Sequence, residues 1–251
     1  ESDMQERCKN RQPIPILVYH QIDVAPPKGA AFRSLYVAPK SFARQMHLLK
    51  HLGYQGLSMT GLLPYLKGEK QGKVCGITFD DGYLNNLQHA LPVLEAQGFS
   101  STCYVVSQRL GQTNDWDKDA GIAQATLMNA GQLKQWLAGG QELGAHTRHH
   151  VHLPKMTDTE SFHEIAAGKA ETETVLQTPV QHFCYPYGEF EPAHVEMAGR
   201  AGFLTATTTV RARCQIGDDF FQLPRVPVVR STTLPVFWLK VSTPYEDRQK
   251  P

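Results

Sequence analysis

The residues VCGITFDDGYLNNLQHALPVLEAQGFSSTCYVV, positions 74–106, decide the fold of this 251-residue chain. They begin and end with apolar runs rich in β-branched and aromatic residues, Val74–Phe79 and Thr102–Val106, which are typical of buried strands. Between these runs, leucines at steps of three or four residues give Leu84–Gln97 one apolar helical face, and Gly98 follows as a helix cap. This order of strand, helix and strand predicts a parallel βαβ unit.

The same alternation of apolar runs and helical segments continues on both sides of this unit. Repeated strand–helix units imply a parallel sheet covered by helices, either a closed barrel or an open doubly wound sheet. Both architectures place active sites at the carboxyl ends of the strands, so the first polar residues after each strand are the candidates for function. The other predicted strands are Ile14–His20, Glu142–Ala145, His182–Tyr185 and Leu204–Thr208, and the other predicted helices are Phe42–Leu52, Ala130–Ala138, Ser161–Gln177 and Ala193–Ala201.

Composition excludes several classes of protein. Hydrophobic residues make up 41% of the chain and charged residues 20%, as in an ordinary globular protein. Lys and Arg (25) nearly balance Asp and Glu (24), which argues against a broadly basic nucleic-acid-binding protein. No apolar run approaches the roughly 20 residues that cross a bilayer, and the cysteines are too few for a disulfide framework. We expect one domain over residues 14–243, between flexible segments at 1–13 and 244–251.

The first candidate site follows the strand Val74–Phe79, where Asp80 and Asp81 precede Gly82. Two adjacent carboxylates after a buried strand are costly unless they are paired or bound to a metal. The alternative interpretation is an Asx turn that caps the following helix.

A histidine cluster follows the strand Glu142–Ala145: four histidines fall within residues 146–152. Neutral imidazole is a common ligand of zinc-like ions, and two imidazoles with one carboxylate leave coordination positions open for water and substrate. A solvated loop would also explain such a cluster. Because the histidines and the Asp pair occupy equivalent strand ends, the sequence favours a metal site, although spacing alone does not choose among the histidines.

Two further strand ends carry weaker signals. Tyr185-Pro186-Tyr187-Gly188 is a tight turn that could hold backbone N–H groups facing a site, because proline fixes φ and glycine permits a sharp turn. His20 ends the first strand, where a hydrogen-bonded structural histidine is the alternative.

Taken in order, these segments resemble the polysaccharide deacetylases, also called carbohydrate esterase family 4 or NodB-homology domains. The resemblance covers roughly residues 14–230 and is strongest to the branch that includes poly-β-1,6-N-acetylglucosamine deacetylases. It implies a distorted (β/α)7 barrel. The motifs that carry it are Thr78–Gly82, His146-Thr147-x-x-His150 with Leu153, Tyr185–Gly188, Pro15–His20 and Leu223–Val226.

The resemblance also implies the roles of individual residues. Asp81, His146 and His150 would hold a divalent metal, with Zn²⁺ as the first choice and Co²⁺ or Ni²⁺ as alternatives. Asp80 would be the general base, and the backbone N–H of Tyr187 would help to bind the oxyanion.

The family's Leu-x-x-His motif usually lies near the carboxyl end of the chain, whereas here Leu17-Val18-Tyr19-His20 lies near the start. This resembles a circularly permuted barrel, and it implies that His20 protonates the leaving amine while Leu17 lines the acetyl pocket. Pro186 and Trp116 are further candidates for substrate contact. Trp116 lies in a long polar loop, where it could stack on a sugar ring or anchor the loop.

One departure from the family pattern concerns the partner of the catalytic base. The family commonly has an Arg two residues before the proline of the third motif, and Cys184 stands there in this chain. Arg225, which follows an apolar strand, is the candidate replacement, with a surface salt bridge as the alternative. The family's Asp-Trp element is also missing, unless Asp218-Asp219-Phe220 replaces part of it.

The function implied is that of a metal-dependent hydrolase that removes N-acetyl groups from N-acetylglucosamine-containing polysaccharide. An O-acetyl esterase or small-amide hydrolase on the same scaffold, or a catalytically impaired glycan-binding domain, are the alternatives. We expect an acetylated glycan as partner, no nucleic acid, no transmembrane segment, a monomeric state, and a periplasmic or extracellular location.

Overall fold

Seven parallel strands form a closed barrel in the computed structural model, which describes residues 11–247. The first strand, β1, closes the ring because it pairs with both β5 and β10. An eighth strand, β4, extends the sheet outward from β5, and β2 and β3 form a separate two-stranded sheet. The strands are β1 (Ile16–Tyr19), β2 (Gln21–Ile22), β3 (Tyr36–Val37), β4 (Gln55–Leu57), β5 (Val74–Asp81), β6 (Thr102–Val105), β7 (Glu142–Ala145), β8 (His182–Cys184), β9 (Thr205–Arg211) and β10 (Leu223–Pro227).

Helices cover the outside of this barrel, which confirms the predicted distorted (β/α)7 architecture. Within residues 11–247, none of them combines the length and hydropathy of a membrane-spanning segment. The α-helices are α1 (Pro39–His51), α2 (Met59–Leu66), α3 (Leu91–Gln97), α4 (Ala130–Ala138), α5 (Asp158–Leu176), α6 (Pro192–Arg200) and α7 (Leu234–Ser242). Short 3₁₀ helices lie at Arg33–Leu35, Ser107–Arg109, Asp115–Ala120, Leu153–Lys155 and Pro186–Gly188.

The helix predicted over Leu84–Gln97 is not one regular α-helix. A π-helical segment, Asn86–Ala90, precedes α3. Pro92 explains the change, because proline has no N–H to donate and its ring displaces the carbonyl four residues earlier. The wider π turn absorbs this mismatch and lets the apolar face continue into α3.

The main core lies between the barrel wall and the helices. Tyr19 packs edge-on against Phe42 at 5.0 Å between ring centroids, and Phe79 packs edge-on against Trp136 at 5.6 Å. Tyr19 and Phe79 point outward from neighbouring strands, and Phe42 and Trp136 come from α1 and α4. Residues at alternate positions of the same strands therefore point into the barrel.

The carboxyl-terminal boundary of the domain lies beyond position 243. Glu246 is fully buried and accepts hydrogen bonds from Arg211 at 2.9 Å and from Lys240. Asp247 pairs with Arg213 at 2.8 Å. Residues 244–247 are therefore part of the packed domain rather than the predicted flexible tail, while the rest of that tail (248–251) and residues 1–10 lie outside the described residues.

Candidate active site

A cavity of about 320 Å³ opens at the carboxyl ends of the barrel strands. Its wall includes the side chains that end three different strands: His20 after β1, Asp80 and Asp81 at the end of β5, and His146 after β7. These residues are far apart in the sequence, and the closure of the ring brings them to one rim.

Asp81, His146 and His150 form a compact set of possible metal ligands. The Nε2 atoms of His146 and His150 each lie 3.2 Å from the same oxygen, Oδ1 of Asp81. All three side chains are buried, yet within residues 11–247 Asp81 Oδ1 has no partner with hydrogen-bond geometry. Two imidazole nitrogens that converge on an unsatisfied carboxylate oxygen fit a divalent cation, because a cation would satisfy all three atoms.

Electrostatics favour metal binding at Asp81 and His150, and a hydrogen bond orients the third group, His146. Burial opposes ionisation of Asp81, but the two imidazoles overcome it and hold the pKa of this carboxyl well below its usual range. Burial also lowers the pKa of His150, which favours the neutral form that a metal requires. The carbonyl oxygen of Cys184 lies 2.7 Å from Nδ1 of His146, so a neutral His146 donates there and directs its Nε2 lone pair toward Asp81.

The backbone is locally strained where these ligands lie. In a regular strand, Asp80 and Asp81 would point to opposite faces, but Asp81 has a φ of 82°, which turns its side chain into the same cavity. Thr147 (φ 67°) and His150 (φ 55°) also adopt the left-handed conformation. Such conformations cost of order 1–3 kcal/mol each in non-glycine residues and cluster at functional sites.

The structure distinguishes His150 from the neighbouring histidines. His150 N–H donates to Thr147 Oγ1 at 3.0 Å, and this turn directs the His150 ring inward. His149 instead binds Glu164 through its backbone N–H (3.0 Å) and its Nδ1 (2.8 Å). Of the two residues that the sequence pattern left open, only His150 reaches the ligand set.

Asp80 forms a buried ion pair with Arg225. Nη1 and Nη2 of Arg225 donate to the two carboxylate oxygens of Asp80 at 2.7 and 2.8 Å. Arg225 is only 1% exposed, so the alternative of a surface salt bridge is wrong. Although burial opposes ionisation, the Arg225 charge lowers the pKa of Asp80 and keeps it a carboxylate. Arg225, which lies on β10, thus forms an ion pair with Asp80. This is the contact expected of a residue that replaces the Arg absent at Cys184.

Asp80, His146 and Cys184 form a second set of potential ligand atoms within 4.8 Å of one another. Arg225 Nη2, however, lies 3.2 Å from Cys184 Sγ and also donates to Asp80. A cation at this position would be repelled by the guanidinium. The set that contains Asp81 is therefore the better metal site.

His20 lines the same cavity and lies beside Asp80. Its Nε2 lies 3.8 Å from Asp80 Oδ2, and its side chain is 24% exposed. An imidazole that contacts the cavity and is open to solvent can exchange protons with water. This position suits proton transfer to a group bound in the cavity.

Trp116 and Tyr187 contact the buried His150 from two directions. The Trp116 ring stacks on the His150 ring with 4.4 Å between centroids, and Tyr187 meets it edge-on at 4.5 Å. Both residues also line the cavity. Trp116 therefore anchors its loop on His150 and remains in reach of a bound ligand, so the two interpretations of this residue are compatible.

Two candidates for substrate contact do not line the cavity. Leu17 is fully buried in the main core, because strand alternation places it on the outer face with Tyr19, under α1. The predicted role in an acetyl pocket is therefore wrong for Leu17. Pro186 is also buried outside the cavity wall, and its contribution is to fix the turn that presents Tyr187.

The segment between β2 and β3 supplies cavity residues that the sequence analysis missed. Phe32 and Leu35 line the cavity, as does Tyr36 at the start of β3, and Phe32 is 49% exposed with a φ of 56°. The rule that binding residues lie on loops after barrel strands could have indicated this segment. Its composition of Pro, Gly and Ala gave no signal for individual positions.

The fold and the site define an α/β barrel whose carboxyl rim carries a carboxylate–imidazole ligand set beside a second, arginine-paired carboxylate. The model of the polysaccharide deacetylase family matches residues 67–206, more than half of the chain. The protein therefore belongs to the polysaccharide deacetylase family, whose members act on glycans.

Individual relatives agree with this assignment. The chain is 27% identical over 232 residues to YxkH of Bacillus subtilis (strain 168), a proposed polysaccharide deacetylase, covering 91% of this chain and 76% of that protein. The polysaccharide deacetylase BC0361 from Bacillus cereus superposes with a TM-score of 0.78 at 26% identity, covering 92% and 69%. The Streptococcus pyogenes deacetylase PplD, solved in complex with acetate, has the same fold, with a TM-score of 0.81 at 22% identity over 93% and 100% of the two chains.

Proposed function

We propose that this deacetylase is a metal-dependent enzyme that removes N-acetyl groups from N-acetylglucosamine-containing polysaccharide. The observation that carries the proposal is the Asp81–His146–His150 set beside the ionised Asp80. As its family resemblance implies, we further propose that it acts in the periplasm or outside the cell, on a substrate such as poly-β-1,6-N-acetylglucosamine. We also propose that it is a monomer.

The metal would be held by Asp81, His146 and His150, and it would supply a Lewis acid for the acetyl carbonyl group. Two imidazoles and one carboxylate suit Zn²⁺ best, with Co²⁺ and Ni²⁺ as alternatives. Three protein ligands leave positions open, as a catalytic site requires.

Asp80 is the proton acceptor in this proposal. It lies beside the ligand set without belonging to it, and Arg225 keeps it ionised. An attacking water molecule next to Asp81 could therefore pass its proton to Asp80. Arg225 also fixes the carboxylate in one orientation, since it binds both oxygens from a fully packed position.

His20 and Tyr187 complete the reaction site. His20 would give a proton to the departing sugar amine, and its partial exposure allows it to be recharged from solvent. The Tyr187 N–H would donate to the oxygen that becomes negative as the carbonyl carbon turns tetrahedral. Within the turn, Gly188 N–H and Glu189 N–H are already used by the carbonyls of Tyr185 and Pro186. Pro186 has no N–H, so Tyr187 is the natural donor.

The shape of the cavity favours one sugar unit of a longer chain. Its volume of about 320 Å³ is at the small end for ligand sites. Phe32 and Trp116 add aromatic surfaces at its rim, and aromatic faces pack well against the apolar faces of a pyranose ring. The polymer would continue across this rim on both sides of the unit that loses its acetyl group.

The alternative of a catalytically impaired domain depends on Cys184, which stands where the family commonly has the arginine that pairs with the catalytic base. Since Arg225 forms the ion pair with Asp80, that reason no longer holds. An O-acetyl esterase on the same scaffold is the second candidate, because the same groups would serve an ester.

Acetate release from N-acetylglucosamine oligomers and from acetylated xylan, each measured with the metal-loaded and the chelator-treated protein, tests the proposal. We expect release from the N-acetylated oligomers only, lost on chelation and restored by Zn²⁺. Release from xylan alone would establish the esterase, and release that survives complete metal removal would refute the metal dependence.

A further inference from the structure

We propose that Asp117 and His152 are positioning residues that hold Tyr187 in the strained conformation needed to present its N–H to the reacting carbonyl. We call Asp117, His152 and Glu189 the Tyr187 clamp. The inference rests on the proposed function, in which Tyr187 N–H binds the oxyanion.

Tyr187 adopts a backbone conformation that its own turn does not fully explain. Its φ and ψ are 60° and 6°, a left-handed conformation that bulky residues rarely adopt. The following Gly188 is also left-handed, with a φ of 69°. Two successive left-handed residues leave the turn free to relax toward ordinary conformations unless other contacts hold it.

The Tyr187 side chain receives those contacts from outside the turn. Its hydroxyl donates to Asp117 Oδ1 at 3.0 Å, and one face of its ring stacks on His152 with 4.0 Å between centroids and an angle of 2°. His152 is held in turn by Glu189, whose Oε2 lies 3.0 Å from its Nδ1. The tip and one face of the ring are thus fixed at the same time, which leaves the backbone of Tyr187 little freedom.

These contacts are not part of the hydrophobic core. The side chains of His152 and Glu189 are 37% and 39% exposed, and Tyr187 itself is only partly buried. Exposed contacts of this kind contribute little to the stability of the fold. Their convergence on a strained residue in the cavity wall therefore indicates a role in positioning.

The clamp can be separated experimentally from the metal site. Asp117 lies in the 3₁₀ segment Asp115–Ala120 and binds Tyr187, not one of the three ligand candidates. Tyr187 meets His150 edge-on, but His150 is also held by its hydrogen bond to Thr147 and by stacking on Trp116. Removing the Asp117 carboxylate should disturb Tyr187 and leave the Asp81–His146–His150 set in place.

The first test compares matched variants of the metal-loaded protein on an N-acetylglucosamine oligomer. Asp117→Ala and His152→Ala should each lower kcat roughly 10- to 100-fold with little change in KM, the range expected when an oxyanion donor is misplaced. Asp117→Asn keeps an acceptor oxygen and His152→Phe keeps a flat ring, so both should recover most of kcat. Asp119→Ala, at an exposed position of the same segment, should match the wild type. Zn²⁺ affinity and Tm should stay unchanged in all of them.

The second test reads the Tyr187 N–H directly and needs no turnover. The chain has nine tyrosines, so ¹⁵N-tyrosine labelling gives a simple amide spectrum in which Tyr187→Phe identifies the Tyr187 resonance. Methylphosphonate, a tetrahedral anion of acetyl size, should shift this resonance in the Zn²⁺-loaded wild type. The shift should be lost in Asp117→Ala and kept in Asp117→Asn.

The outcomes separate the two proposals. If the wild type releases no acetate from any glycan but the shift depends on Asp117, the clamp stands and the N-deacetylase assignment fails. If Asp117→Ala and His152→Ala keep wild-type kcat and the full shift, the clamp is refuted. A loss of kcat matched by an equal loss of Zn²⁺ affinity would also refute it, because the contacts would then serve the metal ligands.

Discussion

Cys184 contacts both members of the buried ion pair, with its sulfur 3.2 Å from Arg225 Nη2 and 3.6 Å from Asp80 Oδ2. A thiol is small enough to leave room for the guanidinium that arrives from β10. Asp80 thus has a positive charge beside it, although this charge comes from a residue 145 positions away in the chain. At the level of single residues, this site depends on a carboxylate meeting a guanidinium. The arginine that supplies the guanidinium can come from a different strand.

Replacing Asp80 by Asn tests its role as the base. The amide oxygen of the Asp80→Asn variant can still accept a hydrogen bond from Arg225, so the fold should survive, but an amide cannot take a proton from water. We expect kcat on an N-acetylglucosamine oligomer to fall about 10³-fold, the usual size of a general-base contribution. Metal content, measured by elemental analysis, should stay equal to that of the wild type. An Asp80→Asn enzyme with normal kcat would remove Asp80 from the mechanism.

The choice between two adjacent histidines gives a second test at this scale. His150→Ala should weaken Zn²⁺ binding by more than about 100-fold, since the loss of outer partners alone typically costs 10- to 100-fold. His149→Ala is the matched control, because His149 contacts Glu164 outside the ligand set. Zn²⁺ affinity measured by competition with a chelator should be near the wild-type value in that control. Equal losses in both variants would contradict the assignment of His150.

The elements of the barrel were predictable where they are long and apolar. The predicted strands correspond to β1, β5, β6, β7, β8 and β9. By contrast, β2, β3 and β4 have two or three residues each and carry no periodic signal, and β10 enters the sequence analysis only through the motif Leu223–Val226. Helix α2 was missed, and Pro92 interrupted a helix that leucine spacing had predicted as continuous. Short elements are fixed by their neighbours in the sheet, which a single sequence does not display.

The convergence of possible metal ligands was predictable where strand ends and family motifs coincided. Asp81, His146 and His150 meet as the resemblance implied. Leu17 was misplaced because a motif does not state which face of a strand a residue occupies, and alternation puts Leu17 on the helix side. Phe32 was missed because its position depends on how the loop before β3 folds over the rim.

This loop gives a prediction at the scale of an element. Phe32 is half exposed, lines the cavity and adopts a left-handed conformation, as expected if its ring is needed at the rim. Phe32→Ala should raise KM for an N-acetylglucosamine oligomer about fivefold, which corresponds to a contact of about 1 kcal/mol, and leave kcat unchanged. Val24→Ala is the control, because Val24 is 77% exposed on the same loop and does not line the cavity. Equal KM values for wild type and Phe32→Ala would show that the ring does not contact the substrate.

At the scale of the whole molecule, ring closure and the carboxyl-terminal segment hold the barrel together. Because β1 lies between β5 and β10, the start of the barrel domain places His20 beside Asp80 while its last strand supplies Arg225. After α7, the chain returns to β9 through Glu246, which binds Arg211. The terminal segment thus fastens the last helix to the barrel wall.

Glu246 makes this fastening dependent on pH. Burial opposes ionisation of Glu246, but hydrogen bonds from Arg211 and Lys240 overcome it and lower the pKa of this carboxyl. A carboxyl whose pKa is lower in the folded state stabilises the protein above the pKa of the unfolded chain, near 4.3, and loses that contribution as the pH falls through the folded value. Glu246→Gln should therefore reduce the free energy of unfolding at pH 7 by about 3 kcal/mol, the size of a broken buried pair.

The difference in the free energy of unfolding between wild type and Glu246→Gln should shrink as the pH is lowered from 5 to 3, because the wild-type carboxyl becomes protonated and neutral like the amide. Urea unfolding of both proteins at each pH measures this difference. Glu196→Gln provides the comparison, since Glu196 forms an exposed pair with Arg200 at 3.5 Å and should contribute less than about 0.5 kcal/mol at any pH. If the free energy of unfolding falls by the same small amount in both variants at pH 7, the carboxyl-terminal segment does not secure α7, and the barrel is held by its strands and core alone.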